Sequence, residues 1–175
     1  TLYSILDYLK SDDINITTIE DPVEIRIPGL NQIEVDKNTR FADSLRTILR
    51  QDPDVILIGE MRDAESISIA LRAAETGHLV FSTMHTIGAD KTIDRIIDTF
   101  ESSKQQQIRS QLSTACTGIV SQQLIPTIDE KSRIVATEVM ITNTAISNLI
   151  RENKIYQIQN IIQTSSKQNM FSMDQ

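Results

Sequence analysis

Three places in this 175-residue sequence set acids, hydroxyls or an imidazole directly behind a short apolar run. Glu20, Asp21 and Glu24 follow the β-branched stretch 14–19. Glu60, Arg62 and Asp63 follow the run VILI at 55–58, with only Gly59 between. Ser82, Thr83 and His85 follow LVF at 79–81. In an open α/β sheet, ligands gather beyond the carboxyl ends of the strands, so these three exits are where chemistry is expected. Carboxylates at one end of a buried sheet are costly unless solvated, paired or bound to a cation. Two acid-bearing exits side by side suit Mg²⁺ and the activation of a water. Helix-capping acids leave the same trace in a sequence.

The only two histidines, His78 and His85, flank the third run. Seven residues of strand span roughly 23 Å, so the two rings cannot share one ion unless the chain doubles back. His85 falls at the carboxyl end, with the acids, where it is placed to hydrogen-bond a phosphate. For His78, at the other end, a structural or inter-domain contact and a catalytic one both fit. Arg46, Arg50 and Arg62 are candidates for reaching a phosphate, although exposed helix arginines are usually just solvated. Cys116 reads as a small core hydrophobe beside Leu112 and Ile119.

The elements that must position these groups follow from hydrophobic period. Leu2, Ile5, Leu6 and Leu9 keep helical spacing from the second residue, and the run at 14–19 reads as a strand. Val23, Ile25 and Ile27 alternate up to Pro28-Gly29, and Ile33 and Val35 alternate after it, which predicts a β-hairpin. Phe41, Leu45, Ile48 and Leu49 mark a helix capped at Asn38 or Thr39 and stopped at Asp52-Pro53. The wholly apolar run 55–58 reads as a strand covered on both faces. Asp63 caps the next helix, Gly77 ends it, and 79–82 is another strand. Ile93, Ile96, Ile97 and Phe100 share a helix. Ser103 and Gln106 form a capping box for a longer one bearing Ile108, Leu112, Ala115, Ile119 and Val120. A strand near 133–141 and two helices at 146–150 and 155–162 complete the chain. Strand–helix alternation over 14–82 implies an α/β fold, a largely parallel sheet with helices on its faces. The expected division is a core over 1–141 and a helical segment over 142–175.

Composition narrows the function classes. Asp plus Glu (24) exceeds Lys plus Arg (17), for a net charge of −7. That balance argues against a broad basic surface for nucleic acid. One cysteine excludes an internal disulfide and a four-cysteine zinc module. No apolar run approaches the ~18 residues of a membrane span, and no signal peptide opens the chain.

The same segments, in the same order, carry a resemblance. Residues 19–24, IEDPVE, resemble the acidic "Asp box" of the secretion-superfamily ATPases of type II secretion and type IV pili. Residues 49–63, LRQDPDVILIGEMRD, resemble their Walker B segment, and 76–86, TGHLVFSTMHT, their His box. Residues 145–152, AISNLIRE, are similar to the AIRNLIRE signature of the PilT-like retraction branch, with Ser147 in place of the first arginine. A guanidinium is not mimicked by a hydroxyl. The stretch 26–32, RIPGLNQ, leans instead towards the assembly branch; the single cysteine sets the chain apart from assembly and export members, which typically carry a four-cysteine module.

The resemblance implies a RecA-like P-loop core and an ATP-hydrolysing motor for pilus retraction. Glu24 would orient or deprotonate the attacking water, and Glu60 would stand near Mg²⁺, directly or through a water. His85 and His78 would be the His-box residues. Asp21, Thr83 and the nearby arginines would support nucleotide or a neighbouring subunit. The implied partners are identical subunits in a hexameric ring and a pilus platform protein, on the cytoplasmic side of the bacterial inner membrane. The competing expectations are an assembly or type II secretion ATPase and a non-catalytic assembly module. The loop G-x-x-x-x-G-K-[ST] does not occur in the chain, and Thr1-Leu2 resembles the residues that follow it. The chain is therefore read as a C-terminal fragment that alone binds ATP poorly and turns over little.

Overall fold

The structure, a computed structural model, describes residues 1–35 and 41–174. The chain forms two compact units, Thr1–Met84 and His85–Gln175. This boundary falls well before the 141/142 division expected from the sequence. The antiparallel hairpin ending at Ile141 forms a sheet of its own and bonds to the start of the helix over Ala89–Asp98, within the second unit, rather than joining the parallel sheet.

The first unit holds α1 (Leu2–Leu9), β1 (Ile16–Glu20), β2 (Asn31–Glu34), α2 (Phe41–Ile48), β3 (Val55–Ile58), α3 (Ala64–Glu75) and β4 (Leu79–Ser82). The four strands form one parallel sheet in the order β2-β1-β3-β4. Every residue of β1 and β3 is buried, as a parallel strand covered on both faces requires. One face carries Ile19, Ile56 and Ile58 against Leu45 and Ile48 of α2 and Ile69 and Ala73 of α3. The other carries Ile16, Val55 and Leu57 against Leu6 of α1. The expected α/β class, a parallel sheet with helices on its faces, is what forms.

The Pro-Gly hairpin does not form. β2 pairs in parallel with β1, Thr17 opposite Asn31 and Glu20 opposite Glu34. Pro22 and Pro28 lack the N–H a ladder needs. The side chain of Gln32 takes up the neighbouring backbone instead, accepting from Ile27 N at 2.7 Å and donating to Ile25 O at 2.9 Å. The expected cap at Asn38 or Thr39 lies outside the described residues. The Asp63 cap is present: its carboxylate accepts from Ser66 N at 2.9 Å and Ser66 Oγ at 3.0 Å.

The second unit holds α4 (Ala89–Asp98), α5 (Ser102–Ala115), β5 (Gly118–Pro126), β6 (Arg133–Ile141), α6 (Thr144–Arg151) and α7 (Ile158–Thr164). The long helix expected through Val120 stops at Ala115, and Ile119 and Val120 belong to β5, paired with Met140 and Val139 of β6. Helical spacing continues past Ala115 by coincidence; the β-branched pair behind Gly118 takes the strand. A Cβ on Gly118 would stand 3.0 Å from Met140 O, so a side chain here would press the two strands apart by a few tenths of an ångström. The capping box is also absent: Glu101 is the N-cap of α5 and makes no side-chain cap bond. Cys116 follows that helix, its thiol pushed above the ordinary value by burial. Among the described residues no helix is long and apolar enough to cross a membrane.

Asp94 is half-buried on α4, and its carboxyl is raised above the ordinary value, first by burial and then by Asp98. A carboxyl raised in the folded state costs the native state at neutral pH, and that cost vanishes once the pH falls below the unfolded value. Asp94→Asn is therefore expected to raise the melting temperature at pH 7. Melting followed by circular dichroism should show the gain shrinking towards zero as the pH is lowered through the carboxylate range.

Candidate functional site

The carboxyl ends of β1, β3 and β4 lie level because the register sets Ile19 beside Ile58 and Ile58 beside Ser82. The first residues past the strands are stitched together. Gly59 N donates to Ile19 O at 2.7 Å, and Met61 N donates to Thr83 O at 3.3 Å. The Thr83 hydroxyl donates to Gly59 O. A Cβ on residue 59 would come within 3.1 Å of Ile19 O and 3.4 Å of Glu20 Cα. Glycine there lets the Glu60 exit close onto the Glu20 exit.

A cleft of about 230 Å³ opens at this edge, lined by Tyr3 of α1, by Glu20, Asp21 and Glu24, and by Gly59, Glu60 and Arg62. The structure thus brings together Asp21, Glu24, Glu60 and Arg62, four residues read from the sequence as site candidates. Asp21 and Glu24 are exposed. Glu60 Oε2 accepts from Arg62 Nε at 2.6 Å, with the Glu60 side chain 19% exposed and Arg62 64%. The hydrogen bond with Glu60 and the Glu60 and Asp21 charges push the Arg62 guanidinium further above its ordinary value. An ion pair this exposed is screened by solvent and weak; it orients Glu60 without locking it.

Glu20 is the buried member, 5% exposed. Its carboxyl accepts from the hydroxyls of Tyr3 and Thr18 and, at 3.2 Å, from Gln32 Nε2. The Tyr3 oxygen also accepts from Glu24 N at 3.1 Å. Tyr3 and Gln32 therefore hold the acidic segment from both sides. Sequence reasoning assigned neither of them; a tyrosine on the buried face of α1, opposite a strand that ends in glutamate, was the available signal.

Other candidates lie elsewhere. His78 stands before β4, at the sheet edge opposite the acids, with Nδ1 at 3.0 Å from Ala73 O and 3.2 Å from Thr76 Oγ1, closing the end of α3. Arg46 is not at the cleft: it bridges α2 and α3, pairing with Asp43 at 2.8 Å and with Glu65. Arg50 lies on the turn Leu49–Gln51, which leads to the amino end of β3. His85 is the exposed first residue of the second unit. A larger, open groove of about 730 Å³ runs along Arg26–Ile33 and α2; its only charged lining residue among those described is Arg26, so it offers no acid–base pair.

Tyr3 is raised above the ordinary tyrosine value, chiefly by burial and by its bond to Glu20. A group raised in the folded state contributes stability that is lost as the pH climbs beyond the unfolded value. Phenolate absorbance should show a late-titrating tyrosine that Tyr3→Phe abolishes. The same substitution strips a donor from Glu20 and is expected to cost on the order of 1 kcal/mol in urea unfolding at pH 7.

The pattern of the family described as "Type II/IV secretion system protein" matches residues 1–170. The whole chain is 48% identical to a "Twitching motility protein" of Neisseria gonorrhoeae, of which it covers 48%. Over 99% of its length it is 47% identical to the type IV pilus retraction ATPase PilT of Pseudomonas aeruginosa, covering 52% of that protein. The crystal structure of the pilus retraction motor PilT with bound ADP superposes with a TM-score of 0.84 at 49% identity, over 94% of this chain and 49% of that one. The chain spans about half the length of the curated relatives it matches. With an α/β core shared with an ADP-binding motor and a family pattern running through nearly every residue, this chain belongs to the type II/IV secretion system protein family.

Proposed function

We propose that the chain is the hydrolytic part of an ATP-driven motor subunit of the type IV pilus retraction class. The observation that carries this reading is the convergence of Asp21, Glu24, Glu60 and Arg62 on one cleft at the carboxyl edge of a parallel sheet. The full-length similarity to a twitching motility protein and to PilT supports retraction over assembly or type II secretion. In this proposal the partners are identical subunits in a hexameric ring and a pilus platform in the inner membrane, with the motor on its cytoplasmic face.

Glu24 is exposed on a segment whose backbone Tyr3 holds, which suits a carboxylate that orients or takes a proton from the attacking water. Glu60, half-buried beside it, suits a carboxylate near Mg²⁺. Among the described residues no group of three or more His, Cys, Asp or Glu side chains could hold a metal alone. That fits Mg²⁺, which is usually bound through one or two carboxylates, waters and the phosphates of the nucleotide. When bound, the ion would neutralise phosphate charge. Arg62 steadies Glu60, Asp21 adds negative charge opposite Arg62, and Thr83 fixes the Gly59 turn. His85 is assigned to the phosphate. His78, engaged with the end of α3, fits a structural contact better than a catalytic one.

The test is ATP turnover by phosphate release, in the protein extended to the length of its relatives. Glu24→Gln and Glu60→Gln should each lower kcat by about 10²-fold or more, and Glu24→Gln should leave ATP binding close to intact. Turnover that survives either change refutes the assignment. Full turnover in both, with ring assembly altered instead, would favour the non-catalytic assembly module.

A further inference from the structure

Within the second unit, the segment that carries His85 runs into α4 through Gly88, a residue with no side chain to cap a helix. Gly88 adopts φ +93°, and a Cβ there would stand 2.9 Å from Asp90 Oδ1. The amides at this helix start, which have no intrahelical acceptor, are served from the hairpin. Gly88 N donates to Ser121 Oγ of β5 at 2.9 Å, and Ala89 N donates to Glu138 Oε1 of β6 at 2.7 Å. Ser121 and Glu138 are cross-strand partners, 5% and 4% exposed. Gln159 of α7 completes the arrangement: its Nε2 lies 3.1 and 3.3 Å from the two Glu138 oxygens and 3.3 Å from Asp90 Oδ1.

A buried carboxyl is retained at a cost unless its acceptor capacity is used. Here it is used on the amide of Ala89, four residues after His85. We propose that Glu138, braced by Gln159, is a positioning residue for His85: it fixes the angle at which the His85 segment enters α4. Thr92 secures the same entry, donating from Oγ1 to Gly88 O at 2.8 Å and meeting Thr86 Oγ1 at 2.8 Å. Without the Glu138 anchor the Ala89 amide loses its acceptor and the entry into α4 is held less firmly, and His85 stands on a lever of three residues, up to about 10 Å long, from that point. A displacement of about 1 Å in a positioned group is enough to cost turnover severely.

This inference rests on the reading of His85 as a phosphate-facing residue, and the experiment separates the two. In the protein at the length of its relatives, Glu138→Ala is compared with Glu138→Gln, Gln159→Ala and His85→Ala. Three quantities are followed: kcat and KM for ATP, amide hydrogen exchange over residues 84–92, and melting temperature. Glu138→Ala should lower kcat about tenfold at unchanged KM, with faster exchange confined to residues 84–92. Glu138→Gln, which keeps a carbonyl acceptor for Ala89, should restore most of the turnover. If Glu138→Ala does not fold, Gln159→Ala carries the test, with a loss of about threefold and the same local exchange. Unchanged kcat in a folded Glu138→Ala, or faster exchange spread over the whole second unit, overturns the proposal. Wild-type kcat in His85→Ala would instead overturn the reading of His85, while local exchange in Glu138→Ala would still show the anchor.

Discussion

The carboxyl of Glu20 is the group on which the candidate site depends. It ends β1, a strand with every residue buried, and a carboxyl in that position is costly unless donors surround it. No cation among the described contacts reaches it; its donors are Tyr3 of α1, Thr18 of its own strand and Gln32 of β2. One side chain thereby ties two strands and a helix from a third layer. The ties extend into the cleft. The oxygen of Tyr3 that serves Glu20 also receives Glu24 N–H, and the amide of Gln32 that serves Glu20 also engages Ile25 and Ile27. The exposed acids are thus held by neutral groups that a buried acid has organised. Such a network is worth more intact than its separate bonds, and partial loss leaves donors stranded.

The other half of the cleft is set by backbone proximity rather than by side chains. Level strand ends, the absence of a Cβ at Gly59 and the Thr83 hydroxyl together bring Glu60 against the Glu20 exit. No charge attraction between the acids is needed; two carboxylates repel. Arg62 offsets that repulsion from the solvent side. The site therefore combines a floor of paired backbone with a polar rim whose ion pair is exposed and weak.

Much of this was legible in the sequence because it follows from local rules. A four-residue apolar run followed by glycine and glutamate fits a buried parallel strand with an acid at its mouth, and β3 is that. Asp63 directly before a helical run spells a helix cap, and its carboxylate takes the Ser66 N–H. The misread segments share a different character: each satisfied a local pattern while a distant group decided the outcome. Alternation across Pro28-Gly29 described a hairpin, but Gln32 captured the backbone and β1 captured β2. Helical spacing through Ile119 and Val120 described a longer α5, but β6 supplied a ladder partner from Arg133 onward. The pairing of Arg46 with Glu65 was not visible in the sequence, because the two are adjacent only once α2 packs on α3. Tyr3 escaped notice because its importance belongs to Glu20, and no spacing rule joins residue 3 to residue 20.

The proposed chemistry is divided along the chain. The acids belong to the first compact unit, and His85 begins the second. Thr83 is bonded to Gly59, so the chain is anchored to the acid cleft up to that point. Gly88 and Ala89 are bonded to Ser121 and Glu138, so it is anchored again three residues beyond His85. Only residues 84–87 run between the anchors, a length of about 14 Å when fully extended. On the proposed reading, His85 therefore sits on a short tether whose two ends are held by different hydrogen bonds.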